Sequence, residues 1–349
     1  MELSILRILG LMLCAGLLWT VFVRLRIPKG QRPPVALPTF AAVLLLIVSL
    51  FPSVVNTPSE FLSLASIPGG RILTLLVLST AALFLSTLYL YTKLAHSHLQ
   101  MDALFRHTVI RDFFDAHANE RIEDGVLVLI PALNEAENLK ALLPRIPKAV
   151  CGRSVATLVI DDGSHDDTGE VARRLGVWVA RHPINRGGGA ALRTGFDIAR
   201  QNGAYIIVTM DADGQHDPAN IEPLVAFIIE QGADIVIGSR VLGAHERDSM
   251  MRAIGIGVFS RFINGLMGES ITDCSSGFRA IRVGVLERMQ LMQDQYHTAE
   301  LIIEAAKQGL HIGEVPIVIK RRQSGVSKKG RDVVYGLNFF AAIMRTWWR

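Results

Sequence analysis

Cysteine is scarce in this 349-residue sequence, and its placement excludes some kinds of structure. The three cysteines, Cys14, Cys151 and Cys274, are odd in number, widely separated and without the spacing of metal ligands. They predict reduced thiols, and they argue against a disulfide framework.

Two other patterns are also missing from the sequence. The glycine-rich stretch at residues 185–189 lacks the Gly-x-Gly-x-x-Gly spacing of a dinucleotide-binding fold, which counts against a dehydrogenase. The net charge is only +4, although the isoelectric point is near 9.1. No basic groove interleaved with aromatic residues is present, so nucleic acid is not an expected partner.

Charge is absent from three long runs, residues 8–23, 35–55 and 72–92. The second and third contain 21 residues each, enough to cross a hydrocarbon layer of about 30 Å. Residues 3–6 lengthen the first run if Arg7 reaches back to the interface. A cleaved signal peptide is disfavoured, because the N-terminus has little positive charge and no Ala-x-Ala site follows. We therefore predict an integral membrane protein with three retained transmembrane helices.

The distribution of basic residues between the loops predicts the orientation. The first loop carries four of them, at Arg24, Arg26, Lys29 and Arg32. Residues 56–70 carry Glu60 and no basic residue. The first loop should thus be cytoplasmic and the second outside. This places the N-terminus outside and everything after Lys93 in the cytoplasm.

The composition predicts four segments along the chain. A membrane domain occupies residues 1–93, and a polar stretch with spaced apolar residues forms a helical connector at 94–124. From residue 125 to 327, short apolar strands alternate with helices, which is typical of an α/β layered domain. Residues 328–349 form a basic and aromatic segment suited to the membrane interface.

Within the α/β domain, strands are predicted at residues 126–130, 155–160, 177–180, 205–210 and 234–238. Candidate site residues follow four of these strands. They are Pro131, Asn134 and Glu135 after the first, Asp161 and Asp162 after the second, residues 185–189 after the third, and Asp211 and Asp213 after the fourth. In a parallel sheet all of these ends lie on one edge, where α/β proteins bind ligands.

The stretch Asp211-Ala-Asp213 suits a divalent metal ion. Two carboxylates around one small residue can share a hard cation, with Gln215 supplying an amide oxygen. Such an ion would most usefully neutralise a diphosphate. Alone, this short motif is more often an ordinary acidic turn than a metal site.

Taken together, the ordered stretches resemble glycosyltransferase family 2. The similar stretches are residues 129–138, 159–164, 185–195 and 211–218. Residues 272–279 and 314–316 are similar to the branch containing dolichyl- or polyprenyl-phosphate mannose (or glucose) synthases. The resemblance covers residues 125–327 and implies the α/β fold named GT-A. The N-terminal segment more loosely resembles a small three-helix membrane domain.

The resemblance implies an inverting, metal-dependent transfer of a hexose from a nucleoside diphosphate sugar to a polyprenyl (dolichyl or undecaprenyl) phosphate. The donor would be of the GDP-mannose or UDP-glucose type, and the metal Mg²⁺ or Mn²⁺ on Asp211, Asp213 and Gln215. The implied donor-binding residues are Pro131, Ala132, Asn134, Glu135, Asp161, Asp162, Arg186, Gly187, Gly189, Asp211 and Ala212. Relatives often have a lysine in the glycine loop, where this chain has Arg186.

The implied catalytic residues are Asp213, Arg240, Arg279 and Glu300. A phosphate acceptor is already ionised and needs no general base, so Arg240 and Arg279 would hold it. Structural ion pairs are the alternative for both arginines. Glu300 would be the base if the acceptor were a hydroxyl of another lipid or glycan; otherwise it would contact the sugar or order Arg279. Asp273 is expected to play a supporting part.

Three further features bear on the membrane. Phe259, Phe262, Ile263 and Leu266 share a helical face that suits either the bilayer interface or ordinary core packing. A basic run at Lys320, Arg321, Arg322, Lys328, Lys329 and Arg331 suits anionic headgroups or a solvated loop. Trp347 and Trp348 suit an interfacial anchor. A non-catalytic, sugar-nucleotide-binding scaffold is the alternative from another functional class.

Overall fold

A computed structural model describes residues 5–26, 36–243, 250–320 and 332–349. The chain divides into two compact units, Met1–Gln100 and Met101–Arg349. Lys29, Arg32 and the basic run after Lys320 lie outside the described residues, as does the predicted boundary at 327/328.

The first unit is helical. Its elements are α1 (Ile5–Leu25), α2 (Ala36–Leu50), α3 (Asn56–Phe61) and the first part of α4 (Gly70–Ala116). Two segments, Ile8–Leu25 and Gly70–Leu94, are long and apolar enough to cross a membrane. The predicted first and third spans therefore correspond to single helices in the structure.

The predicted second span is broken. Helix α2 ends at Leu50, and the chain bends by 105° into the segment Pro52–Phe61. Pro52 causes the break because it has no N–H to continue the helix, and a 3₁₀ turn starts there instead. The 15 residues of α2 are about 22 Å long, short of a hydrocarbon layer of about 30 Å. Among the described residues, two helices are thus span candidates, or three if the bent pair counts as one span.

Helix α4 is longer than expected. It runs without interruption over 47 residues, so the predicted third span and the predicted connector form one helix. Its last turns belong to the core of the second unit, where Val109, Ile110 and Phe113 are buried.

The second unit is built around a sheet of eight strands. The strands are β1 (Val126–Ala132), β2 (Ala149–Val150), β3 (Arg153–Asp161), β4 (Trp178–Arg181), β5 (Ile206–Thr209), β6 (Ile235–Ser239), β7 (Arg279–Arg282) and β8 (Ile312–Pro316). Their order is β2-β3-β1-β5-β7-β6-β8, and β4 also pairs with β3. Strands β1, β3, β4 and β5 are mutually parallel, whereas β7 runs antiparallel to β5 and β6.

Helices cover both faces of this sheet. They are α5 (Ala136–Leu142), α6 (Thr168–Arg174), α7 (Gly188–Asn202), α8 (Ile221–Gln231), α9 (Met250–Met267), α10 (His297–Lys307) and α11 (Asp332–Trp348). Successive residues of β1 alternate between two cores: Val126 and Val128 join one, and Leu127 and Leu129 join the other. This alternation is the two-residue period of a strand buried on both faces.

The sequence predicted five strands with boundaries within two residues of those observed, but it placed the end of β1 too early. Pro131 does not stop β1, which continues to Ala132 opposite Asp161 of β3. On the other side, pairing with β5 ends at Leu129. Pro131 therefore lies on a locally open edge, where a missing N–H costs little. Strands β2, β7 and β8 were not predicted.

We predict that Gly195→Ala destabilises the second unit. A Cβ at Gly195 in α7 would lie 2.2 Å from Cδ1 of Leu129, which is fully buried in β1. We expect a loss of about 2 kcal/mol, since overpacking costs roughly 1–3 kcal/mol. The measurement is the unfolding midpoint of the detergent-solubilised protein.

Gly265→Ala is the matched control, because Gly265 is also inside a helix and a Cβ there meets nothing within 4 Å. It should be neutral or slightly stabilising. Equal midpoints for the two variants would contradict the close packing of α7 on β1.

Candidate active site

The carboxyl ends of β1, β3, β4 and β5 meet at one edge of the sheet, as the sequence predicted. The loops after these strands carry the predicted donor-site and metal-site residues. Hydrogen bonds join the first two loops: Asn134 accepts from the His165 N–H at 2.8 Å, and the Glu135 N–H donates to Thr168 Oγ1 at 2.9 Å. Asn134 is exposed and has a φ of +53°, a conformation that asparagine tolerates better than most residues.

The two aspartates after β3 are buried, which the sequence did not indicate. Asp161 is fully buried, accepts the Ser164 N–H at 2.9 Å and pairs with Arg181 at 3.3 Å. Asp162 is 3% exposed, and it accepts the backbone N–H groups of Arg186 and Gly187 at 3.0 and 2.8 Å. Both carboxylates thus hold the loops around the site. Because both carboxylates already bind groups of the protein, these contacts do not support the predicted direct contact of Asp161 or Asp162 with a nucleoside.

The glycine loop uses its amides in the same way. Besides the two N–H groups bound to Asp162, the Gly189 N–H donates to the Asp294 carbonyl at 2.8 Å. A Cβ at Gly189 would lie 1.9 Å from the Gln293 carbonyl oxygen, so only glycine fits there. Three of the amides expected near a diphosphate therefore already have acceptors within the protein.

Arg186, which was predicted to contact the diphosphate, binds instead to two side chains of helix α4. Its guanidinium forms an ion pair with Asp102 and lies 5.4 Å from the centre of the Phe105 ring. Asp102 also lies 3.8 Å from Arg193 of α7. In this structure the charge of Arg186 therefore helps to fasten the loop.

The carboxylates after β5 differ in exposure. Asp213 is buried and accepts the Gln215 N–H at 3.1 Å. Asp211 is exposed, and its carboxylate takes part in no hydrogen bond or ion pair with the residues the structure describes. The Gln215 side-chain amide donates to the Lys320 carbonyl at 3.3 Å, so its nitrogen is committed and its oxygen is an acceptor.

The oxygens of Asp211, Asp213 and Gln215 suit a divalent metal ion whose remaining ligands come from a bound substrate. Nowhere in the described parts of the chain do three His, Cys, Asp or Glu side chains form a metal cluster. Mg²⁺ is usually held by one or two carboxylates together with substrate phosphates, and not by a complete protein cage. Asp211 and Asp213, with the oxygen of Gln215, suit that type of site.

Residues 272–279 border the same edge. Thr209 Oγ1 donates to the Gly277 carbonyl at 2.7 Å, and a Cβ at Gly277 would lie 3.1 Å from Asp211 Oδ1. The segment also carries Asp273, whose carboxylate accepts from Arg240 Nε and Nη2 at 2.7 and 2.9 Å. Arg240 and Asp211 thus flank one segment of chain.

In the ion pair between Arg240 and Asp273, the Asp273 side chain is fully buried. Burial alone would raise the pKa of the Asp273 carboxyl, but the hydrogen bonds and charge of Arg240 outweigh it and lower the pKa. Glu314 fixes the backbone of the same segment, because it accepts the N–H groups of Thr272 and Asp273 at 2.9 and 3.1 Å. Arg240 is therefore an oriented cation at the edge of the site.

Arg279, by contrast, lies in the core and not at the surface of the site. It is 2% exposed and donates to the carbonyls of Ser276, Thr298 and Cys274 at 2.8, 2.7 and 3.2 Å. Burial lowers its pKa to about 10, which still leaves it charged at neutral pH. The structure favours a structural role over the predicted contact with an acceptor phosphate.

Glu300 is similarly placed. It is 1% exposed, and its two oxygens accept the backbone N–H groups of Met292 and Gln293, both at 2.8 Å. Arg349 pairs with it at 3.1 Å. A carboxylate with these partners is poorly suited to take a proton from an acceptor, so the structure disfavours the predicted base. It instead holds the loop that supports Gly189.

The apolar face of α9 follows the core-packing alternative. Ile263 is fully buried, while the Phe259 and Phe262 rings lie 4.9 and 5.3 Å from Phe339 and Phe340 of α11. In α11, Trp348 is 84% exposed, as an interfacial anchor would require.

Sequence reasoning missed several residues of this region. Asp102, His182, Gln293 and Asp294 all support the glycine loop, and Gly277 lies against Asp211. No local motif marks them, although His182 lies two residues after the predicted strand 177–180.

Comparisons with known proteins agree with this geometry. A sequence model described as glycosyl transferase family 2 matches residues 127–290. An uncharacterised protein of Methanocaldococcus jannaschii is 38% identical over 66% of this chain and 96% of its own length. The polyprenol monophosphomannose synthase of Mycolicibacterium smegmatis is 37% identical over 60% of this chain and 83% of its own.

The chain belongs to glycosyltransferase family 2. It is therefore a glycosyltransferase, and its fold is the GT-A fold that the sequence predicted. The structure of glucosyl-3-phosphoglycerate synthase from Mycobacterium tuberculosis, in complex with Mn²⁺, uridine diphosphate and glucosyl-3-phosphoglycerate, shares this fold. Its TM-score is 0.52 at 20% identity, covering 68% of this chain and 83% of that one.

We predict that Glu300→Gln impairs stability more than sugar transfer. The amide keeps the shape but has one acceptor oxygen instead of two, so one of the two backbone N–H groups loses its acceptor, which costs about 1–3 kcal/mol. We expect kcat to fall less than tenfold, whereas loss of a general base costs about 10²–10⁴-fold. A hundredfold loss of kcat with an unchanged unfolding midpoint would restore the role of base.

We predict that Arg279→Ala lowers the unfolding midpoint without a selective effect on the acceptor. Three buried carbonyls lose their donor, at a cost of about 1–3 kcal/mol for each unsatisfied group. Steady-state kinetics in detergent should show no preferential rise in the acceptor KM. A selective rise at unchanged stability would support contact with the acceptor.

Proposed function

We propose that this glycosyltransferase transfers a hexose from a nucleoside diphosphate sugar to a polyprenyl phosphate, using a divalent metal. The observation that carries the proposal is the exposed Asp211 carboxylate, which lacks a partner among the described residues and lies two residues before buried Asp213. An exposed and a buried carboxylate at the end of a central strand suit a metal shared with a diphosphate.

Asp211, Asp213 and Gln215 would hold Mg²⁺ or Mn²⁺. When bound, such an ion acts as a Lewis acid that stabilises the negative charge developing on a departing diphosphate. The fold neighbour binds Mn²⁺, which supports this choice of cofactor. Asn134 and Glu135, at the same edge, are the proposed contacts to the nucleoside, together with the backbone at Pro131, Ala132 and Ala212.

A phosphate acceptor suits a site that offers the cation Arg240 and in which Glu300 is not available as a base. A phosphate is ionised at neutral pH and attacks without a general base, so the burial of Glu300 does not impede it. Arg240 is the proposed contact, because its side chain is 13% exposed and Asp273 fixes its orientation. A hydroxyl acceptor would require a base, and the predicted one is bonded to backbone amides.

The lipid part of the proposal rests on the relatives and on the apolar helices. The M. smegmatis relative is named for a polyprenol product, and this chain adds two helices that could cross a membrane. Arg24 and Arg26 at the end of α1, against no basic residue in 56–70, favour a cytoplasmic catalytic unit. Mannose or glucose, carried by GDP or UDP, are the proposed sugars.

The test is a transfer assay on membranes with a short polyprenyl phosphate, Mn²⁺ or Mg²⁺, and labelled nucleotide sugars. We predict an organic-extractable product that chelation suppresses, and a loss of at least about a hundredfold in kcat for Asp211→Asn and Asp213→Ala. A Lewis acid contributes several kcal/mol, and about 1.4 kcal/mol corresponds to tenfold.

Glu222→Gln is the control, because Glu222 is an exposed acid in the first turn of α8. It should keep wild-type activity. Metal-dependent release of nucleotide with another acceptor, but no lipid product, would redirect the proposal to hydroxyl transfer. Binding of donor without any turnover would favour a scaffold.

A further inference from the structure

His182 is buried beneath the glycine loop and belongs to no predicted motif. It directly follows β4 and is 2% exposed. Its Nδ1 lies 2.7 Å from Asp162 Oδ1, and its Nε2 lies 3.0 Å from Thr194 Oγ1 of α7. A buried histidine with both ring nitrogens engaged has a fixed position and a fixed role.

The hydrogen-bond partners define one proton on this ring. An ionised carboxylate only accepts, so Nδ1 donates to Asp162. Nε2 lies within hydrogen-bond distance of the Thr194 hydroxyl, whose oxygen is also 3.1 Å from the Ala190 carbonyl oxygen. His182 therefore joins the Asp162 carboxylate to the side chain of Thr194 through two buried hydrogen bonds.

These contacts reach the glycine loop through Asp162. The oxygen Oδ1 that accepts from His182 also accepts the Arg186 N–H, and Oδ2 accepts the Gly187 N–H. Gly187 has a φ of +93° and precedes the first residue of α7. Without these donors around it, the buried carboxylate would be costly in this environment.

We propose that His182 is a positioning residue of the donor site. Its Nδ1–H donates to Asp162 and orients that carboxylate, and Asp162 fixes the backbone of the glycine loop at the N-terminus of α7. The helix and its side chain Thr194 complete the arrangement, so one buried chain of contacts links β4, β3 and α7. This inference rests on the proposed function, because it assumes that a nucleoside diphosphate sugar binds at this edge.

Two pairs of variants test the proposal. His182→Phe keeps an aromatic ring but removes both ring nitrogens, whereas His182→Asn retains one N–H at the position of Nδ1. Thr194→Val removes the hydroxyl that bonds with Nε2, and Thr194→Ser keeps it. Each full-length variant is purified in detergent and titrated with GDP, UDP, GDP-mannose and UDP-glucose in the presence of Mn²⁺.

We expect His182→Phe to raise the donor KM and nucleotide Kd about tenfold or more, the equivalent of one charge-assisted hydrogen bond. His182→Asn should recover most of this loss, and Thr194→Val should show a smaller loss that Thr194→Ser lacks. The acceptor KM should stay within about twofold throughout, a split that general loss of folded protein would not produce.

Unchanged nucleotide binding in His182→Phe and Thr194→Val would overturn the inference while leaving the proposed function intact. An equal rise in donor and acceptor KM would also overturn it. If wild-type protein binds none of the four nucleotides, the proposed function itself is wrong. Should His182→Phe not fold, the comparison of Thr194→Val with Thr194→Ser decides the matter alone.

Discussion

Strand β1 pairs in parallel with β3 along its whole length and with β5 over residues 126–129. Parallel pairing places the ends of these strands, and of β4 beside β3, at the same edge of the sheet. The donor-site and metal-site candidates in the loops after these strands depend on this arrangement. Asn134, Asp162, the glycine loop and Asp211 come from four loops far apart in sequence, and only the backbone ladder between the strands makes them neighbours.

Around that edge, most charged groups are committed to holding the protein together. Asp162 binds two loop amides, Asp273 orients Arg240, and Glu300 binds two further amides. Buried charges are tolerated only when paired or hydrogen-bonded, so each of these contacts also restricts how its loop can move. Asp211 differs, since its carboxylate is exposed and has no partner among the described residues. The proposed metal site would therefore consist of one exposed carboxylate surrounded by groups that are already hydrogen-bonded.

The catalytic unit also receives support from the helix that begins as a membrane-span candidate. Helix α4 continues past Leu94, and eight residues later its Asp102 pairs with Arg186 and lies near Arg193. The glycine loop is thereby supported by α4, by Asp162 and by the loop at Gln293 and Asp294. Asp102 and Phe105 of α4 thus belong to the same compact unit as the glycine loop that they contact.

The sequence by itself determined the class of the fold, the family and the edge at which the site lies. Apolar runs such as residues 206–208 identify buried strands because a strand covered on both faces must be apolar throughout, and the polar residues that follow mark the strand ends. Strand β7, with the sequence Arg-Ala-Ile-Arg, carries no such run, so its antiparallel insertion between β5 and β6 was out of reach. Only the tertiary structure decided which charged residues face the site. Arg279 and Glu300 have the chemistry of catalytic groups, yet Thr298, Met292 and Gln293 bury and bind them. Burial depends on contacts between distant segments, which no local pattern of residues records.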